Sequence, residues 1–125
     1  MHDANRPLST AEKKVVDRLK RITAGLRDVV VERDGFGHSV LRVRKRSFVF
    51  IGAQNDVVYV SIKSDLVTQD ALVRRGPWQR TPYIGQHGWV SFASTDEPDW
   101  QEVEELVREA YTRVAPRRST RKRHR

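Results

Sequence analysis

The 125-residue sequence has no cysteine, which excludes disulfides, thiolate metal sites and cysteine nucleophiles together. It has no apolar run approaching the roughly 18 residues of a membrane span. Its start, Met1-His2-Asp3-Ala4-Asn5-Arg6-Pro7, lacks the apolar segment of a secretory signal. A cytoplasmic protein that stays off the membrane is expected. The histidines His2, His38, His87 and His124 show no metal-ligating i,i+4 spacing. Gly35-Phe36-Gly37 lacks the Gly-Lys-Ser/Thr ending of a phosphate loop, and no GxSxG elbow occurs. His87 with Asp65 or Asp70 would make an acid-base pair only if the fold brought them together, and no nucleophile accompanies them. No metal, no cofactor and no enzymatic activity are therefore expected.

Positive charge is abundant instead. The net charge is +8, the pI about 10.4, and 32% of residues are charged, above the usual quarter or so. Residues 1–95 carry 16 Lys and Arg against 9 Asp and Glu, residues 96–116 carry 2 against 7, and residues 117–125 carry 6 against none. An acidic segment thus separates a basic body from a basic tail, and an acidic partner is implied.

A chain of this length fits one core. We expect a single domain over residues 9–116, with residues 1–8 and the tail 117–125 disordered. Ser9-Thr10-Ala11-Glu12 reads as a capping box. Val15, Leu19, Ile22 and Leu26 then form an apolar stripe with Lys13, Lys14, Asp17, Arg18, Lys20 and Arg21 facing away. Short β-branched and aromatic runs follow at 29–31, 40–43, 48–51 and 57–62. They are joined by Asp34 to Gly37, Arg44 to Ser47 and Gly52 to Asp56, which is how an antiparallel meander reads. Asp65 can cap a second helix ending at Arg74-Arg75-Gly76-Pro77. Residues 78–84 read as extended and 88–92 as another strand. Thr95 to Pro98 would open a last helix with its stripe at Trp100, Val103, Leu106, Val107, Ala110, Tyr111 and Val114. Glu104–Arg108 and Glu109–Arg113 are spaced to pair on its outer side. The expected class is α+β, with an antiparallel sheet of five or six strands packed against three helices.

The order of these elements and several local signatures resemble the MmcQ/YjbR family of small bacterial proteins over about Thr10 to Pro116. The similar stretches are Gly35-Phe36-Gly37-His38, Lys45-Arg46-Ser47-Phe48, Ser61-Ile62-Lys63, Gln86-His87-Gly88-Trp89-Val90 and Ala110-Tyr111-Thr112-Arg113-Val114. The resemblance implies a DNA-binding α+β protein with hairpins likened to a double wing. It also implies a fold shared with secretion chaperones, which bind protein chains.

Three cationic groups are candidates for phosphate contact. Arg42 and Arg44 alternate with Leu41 and Val43, which puts them on one face of a strand, with Lys45 and Arg46 at the hairpin tip. The alternative is that they keep an edge strand soluble. Arg74, Arg75 and Arg80 flank Trp78, a mixture suited to phosphate contact with base stacking, although Trp78 is equally a core anchor. The tail residues Arg117, Arg118, Arg121, Lys122, Arg123 and Arg125 have nothing apolar to bury and should seek polyanions. Lys63 joins them at a family-like position. The expected partner is nucleic acid, DNA ahead of RNA and without sequence selectivity. A second reading is a protein-interaction module with a cleft near Trp89, Tyr83 and Lys63, and a third is a small-molecule site near His87 and Lys63. A monomer is the simpler expectation.

Overall fold

The computed structural model describes residues 6–116. In chain order it contains α1 (Thr10–Thr23), β1 (Val29–Arg33), β2 (Ser39–Val43), β3 (Arg46–Gln54), β4 (Val57–Ile62), α2 (Leu66–Arg75), β5 (Gln79–Arg80), β6 (Val90–Ala93) and α3 (Trp100–Val114). The strands form one antiparallel sheet in the order β1-β2-β3-β4-β6-β5. The α+β class, the three helices and the six strands agree with the sequence.

Helix α1 begins as its capping box dictates. The Ser9 hydroxyl accepts from the Glu12 amide, and the Glu12 carboxylate accepts from the Ser9 amide at 3.0 Å. The Arg6 guanidinium grips the same carboxylate in a two-pronged contact, both bonds 2.9 Å. With Glu12 only 1% exposed, that hydrogen bond, opposed by burial and helped by the Ser9 amide, holds its pKa down from 4.5 to about 2. Asp65 caps α2, its carboxylate accepting from the Thr68 amide. Helix α3 starts later than Thr95 to Pro98 suggested. Residues 94–96 close a 3₁₀ turn, and Asp99 is the cap, accepting from the Gln101 amide.

Helices α1 and α3 lie against β3 and β4. Val15 and Leu19 from α1 and Val103, Val107 and Ala110 from α3 close over Leu41, Val49, Ile51, Val60 and Ile62. Each such side chain contributes about 1.5–3 kcal/mol on burial. Helix α2 sits at the β5–β6 edge, where buried Gln69 donates to the Gly85 and Trp89 carbonyls. Of residues 78–84, only Gln79–Arg80 enter the sheet.

Two hairpins are tighter than the sequence suggested. Val43 pairs with Arg46 and Gln54 with Val57, so the loops are two residues each, Arg44-Lys45 and Asn55-Asp56. Gly52 and Ala53, expected in a connection, pair with Tyr59 and Val58. Gly52 is needed there for space, since a Cβ would come within 2.7 Å of the His38 ring. Leu41 pairs with Val49 but Arg42 with Ser47, which leaves Phe48 as a bulge residue. The bulge turns Phe48 into the core against Tyr111, ring centres 6.0 Å apart.

Candidate nucleic-acid interface

The β2–β3 turn is built on two successive residues in the left-handed region, Arg44 at φ 49° and Lys45 at φ 73°. That is the conformation of a type I′ hairpin turn, in which Asn and Gly are the favoured residues. Long basic side chains there cost conformational energy. Both are exposed, as is Arg46 at the start of β3. Lys45 and Arg46 have no carboxylate partner among the described residues, and Arg44 reaches Asp28 only at 4.0 Å.

Arg42 behaves differently. It is half-buried, its Nε donates to the Ser47 hydroxyl at 3.0 Å and its Nη1 to Glu32 at 2.9 Å. Its charge is already answered by β1. Arg42 therefore ties three strands together behind the tip, and the face expected to be wet is occupied by an ion pair.

The tip shares its end of the sheet with other cations. Asp28 follows Arg27, whose carbonyl accepts from the Tyr111 hydroxyl at 2.8 Å. This brings the end of α1, the link through Arg27 and the last turn of α3 to the β2–β3 turn. Pro116, the last residue described, lies two past the end of α3. The candidates Arg117, Arg118, Arg121, Lys122, Arg123 and Arg125 lie outside the described residues. Lys63 is near this end too, its amide donating to the Phe48 carbonyl, with its ammonium 5.5 Å from the Trp89 ring centre.

The remaining predicted group does not join them. Arg80 lies on β5, four strand spacings from β2, about 19 Å, and donates to Gln69 at 2.8 Å. Arg74 pairs with Asp70 at 3.1 Å. Arg75 forks onto Glu102 with bonds of 2.7 and 2.8 Å. That fork, opposed by burial and helped by the Trp78 indole, lowers the Glu102 pKa. The stacking-platform reading of Trp78 is corrected. It is buried, packs edge-on against Phe92 and donates to Glu102 at 3.0 Å. Trp89 is buried as well, against Phe50, so it offers a cleft no open ring. Tyr83, by contrast, is fully exposed.

The acid-base idea finds no support. Asp65 is occupied by the α2 cap and by Arg113 at 2.8 Å, and Asp70 by Arg74, while His87 is exposed. Arg113 thereby takes Asp65 instead of Glu109, its expected helical partner. The other expected pair, Arg108 with Glu104, forms at 2.9 Å. Among the described residues no group of three or more His, Asp or Glu is placed to hold a metal ion, and no helix is long and apolar enough to cross a membrane.

A sequence model of the YjbR family matches residues 25–113. The chain belongs to the YjbR family. No curated protein matches it. YjbR membership supports a fold associated with DNA binding in general terms and leaves open which residues would make contact. The match takes in the β2–β3 hairpin, Lys63 and the Gln86 to Val90 segment, while α1 precedes it and residues 117–125 follow it.

Sequence reasoning passed over one feature of this YjbR chain. Lys13, Lys14, Arg18, Lys20 and Arg21 are exposed on the outer side of α1. None of them forms an ion pair among the described residues, and Arg18 lies over the Trp100 ring at 4.3 Å. The residue types were visible, but which acids the fold would bring to which bases was not.

Proposed function

We propose that the protein binds nucleic acid, DNA in preference to RNA, mainly through phosphates and without sequence selectivity. The exposed tip Arg44, Lys45 and Arg46 leads the contact, and the cations after Pro116 add non-specific attraction. The observation that carries this reading is the tip's conformation. Two basic residues occupy left-handed positions that favour Asn and Gly, an arrangement expected where the side chains serve a purpose other than folding. A two-residue hairpin braced by Arg42 leaves the backbone beneath these side chains little freedom to lose on binding. Arg forks suit phosphate oxygens, and such contacts position a duplex without reading its bases.

The test is a titration of a short mixed-sequence duplex at low salt with two variants. One replaces Arg44, Lys45 and Arg46 by Ala, and the other ends at Pro116. The tip variant should lose about tenfold or more in affinity, each phosphate contact adding about 0.9 to the salt slope. Wild-type affinity in both variants would sink the proposal.

A further inference from the structure

We propose that the outer face of α1 forms the second half of the nucleic-acid surface, holding the phosphodiester backbone beside the β2–β3 tip. This rests on the nucleic-acid reading above and adds a surface that neither the tip nor the family match includes.

Charge compensation singles α1 out. Elsewhere the fold answers most of its arginines: Arg42 meets Glu32, Arg74 meets Asp70, Arg75 meets Glu102, Arg108 meets Glu104 and Arg113 meets Asp65. On the outside of α1, Lys13, Lys14, Arg18, Lys20 and Arg21 share one carboxylate, Asp17, and it makes no ion pair among the described residues. Glu12, the other acid of the helix, is buried under Arg6. Like charges at i,i+4 and i,i+3, such as Lys14–Arg18 and Arg18–Arg21, destabilise a helix by about 0.2–0.5 kcal/mol each. The helix dipole accounts for Lys20 and Arg21 in the last turn, but Lys13 and Lys14 lie near the start, where positive charge has the unfavourable sign. Helix stability therefore does not explain the set.

The face has a shape that fits a chain of phosphates. Lys14, Asp17, Arg18 and Arg21 line an open hollow of about 330 Å³ floored by Val15 and by Trp100 at the start of α3. The Arg18 guanidinium is stacked 4.3 Å from the Trp100 ring centre. Stacking fixes the guanidinium plane and leaves its N–H edges free for phosphate oxygens. From Lys13 to Arg21 the helix rises about 12 Å, a length over which a duplex presents some three phosphates of one strand as projected on its axis, at about 3.4 Å each. The chain leaving α1 passes through Arg27 to Asp28, whose carboxylate lies 4.0 Å from Arg44, which puts the end of α1 on the same side of the sheet as the tip.

The experiment uses the full chain and a short mixed-sequence DNA duplex, with the matching single strand as a second probe. Lys14→Gln with Arg21→Gln spares the Arg18 stack and changes only exposed positions. It should weaken duplex binding about tenfold and flatten the salt slope by about 2, while Asp17→Asn should tighten binding. Acetylation footprinting of the wild-type protein gives an independent readout in which duplex protects Lys13, Lys14 and Lys20. If the tip variant loses affinity while the α1 variant and the footprint do not change, the inference fails and the nucleic-acid reading stands. If the α1 variant, the tip variant and the variant ending at Pro116 all keep wild-type affinity, both fail. Preference for the single strand would keep the surface and overturn the duplex as its partner.

Discussion

The turns at Arg44-Lys45 and Asn55-Asp56 sit at opposite ends of β3 and share a backbone, two successive residues at positive φ closing a two-residue hairpin. Asn55 and Asp56 are residues that this conformation tolerates well, because their short polar side chains enter the left-handed region at low cost. Arg44 and Lys45 are not. Around the Asn55 turn lies the other hairpin of that end, whose Asp34 binds the Phe36 and His38 amides and the His38 ring. Around the Arg44 turn lie Arg27, the end of α1 and the last turn of α3. One end of the sheet is built from groups that satisfy the backbone. The other carries charge that the fold does not neutralise.

If that division is correct, stability and binding respond to different substitutions. The largest stability effect belongs away from the basic tip. Glu12→Ala removes the carboxylate half of the capping box and its charged hydrogen bonds to Arg6 and the Ser9 amide, and should cost about 2 kcal/mol by denaturant unfolding with duplex affinity unchanged. Because the Glu12 pKa falls to about 2 on folding, its contribution is fully present above about pH 4.5 and declines as pH falls towards 2. Glu12→Gln should remove that part of the acid sensitivity. At the tip the two properties should move in opposite directions. Arg44→Asn with Lys45→Gly should raise stability by about 1 kcal/mol and lower duplex affinity about tenfold. A loss of both would mean that the basic residues are there for the fold.

Smaller effects sharpen the boundary. Arg75→Ala breaks an exposed fork with Glu102 and should change stability only slightly, with affinity within about twofold of wild type. A clear loss of affinity would return Arg75 to the interface. Asp56→Gly completes an Asn-Gly turn at the neutral end and should stabilise by about 0.5 kcal/mol. Binding should not respond.

Much of the fold was legible because its signals are local. The Ser9 to Glu12 box, the Asp65 cap and the α3 stripe each lie within a few residues of what they organise. What escaped depends on register. Glu32 meets Arg42 because β1 pairs with β2, Asp65 reaches Arg113 across 48 positions, and Glu102 collects Arg75 and Trp78 from a different element. Only the strand register and the tertiary placement of the helices decide these encounters. The basic hairpin was found from sequence for the same reason α3 was, as a local pattern, although its division into a braced Arg42 and a free Lys45 was not. The strand alternation used to place Arg42 and Arg44 on one face ends at Val43, because Arg44 is already in the two-residue turn. The basic face of α1 is exposed as its spacing predicts, but that it meets no acids among the described residues was not legible, because a run of lysines and arginines reads alike whether or not acids come to meet it.

The most direct test is the salt dependence of duplex binding, from about 50 to 200 mM, for wild type and for the variant with Arg44, Lys45 and Arg46 changed to Gln. Phosphate contact by the tip predicts a plot of log K against log salt that is shallower in the variant by about 3. Parallel plots for the two proteins would contradict it.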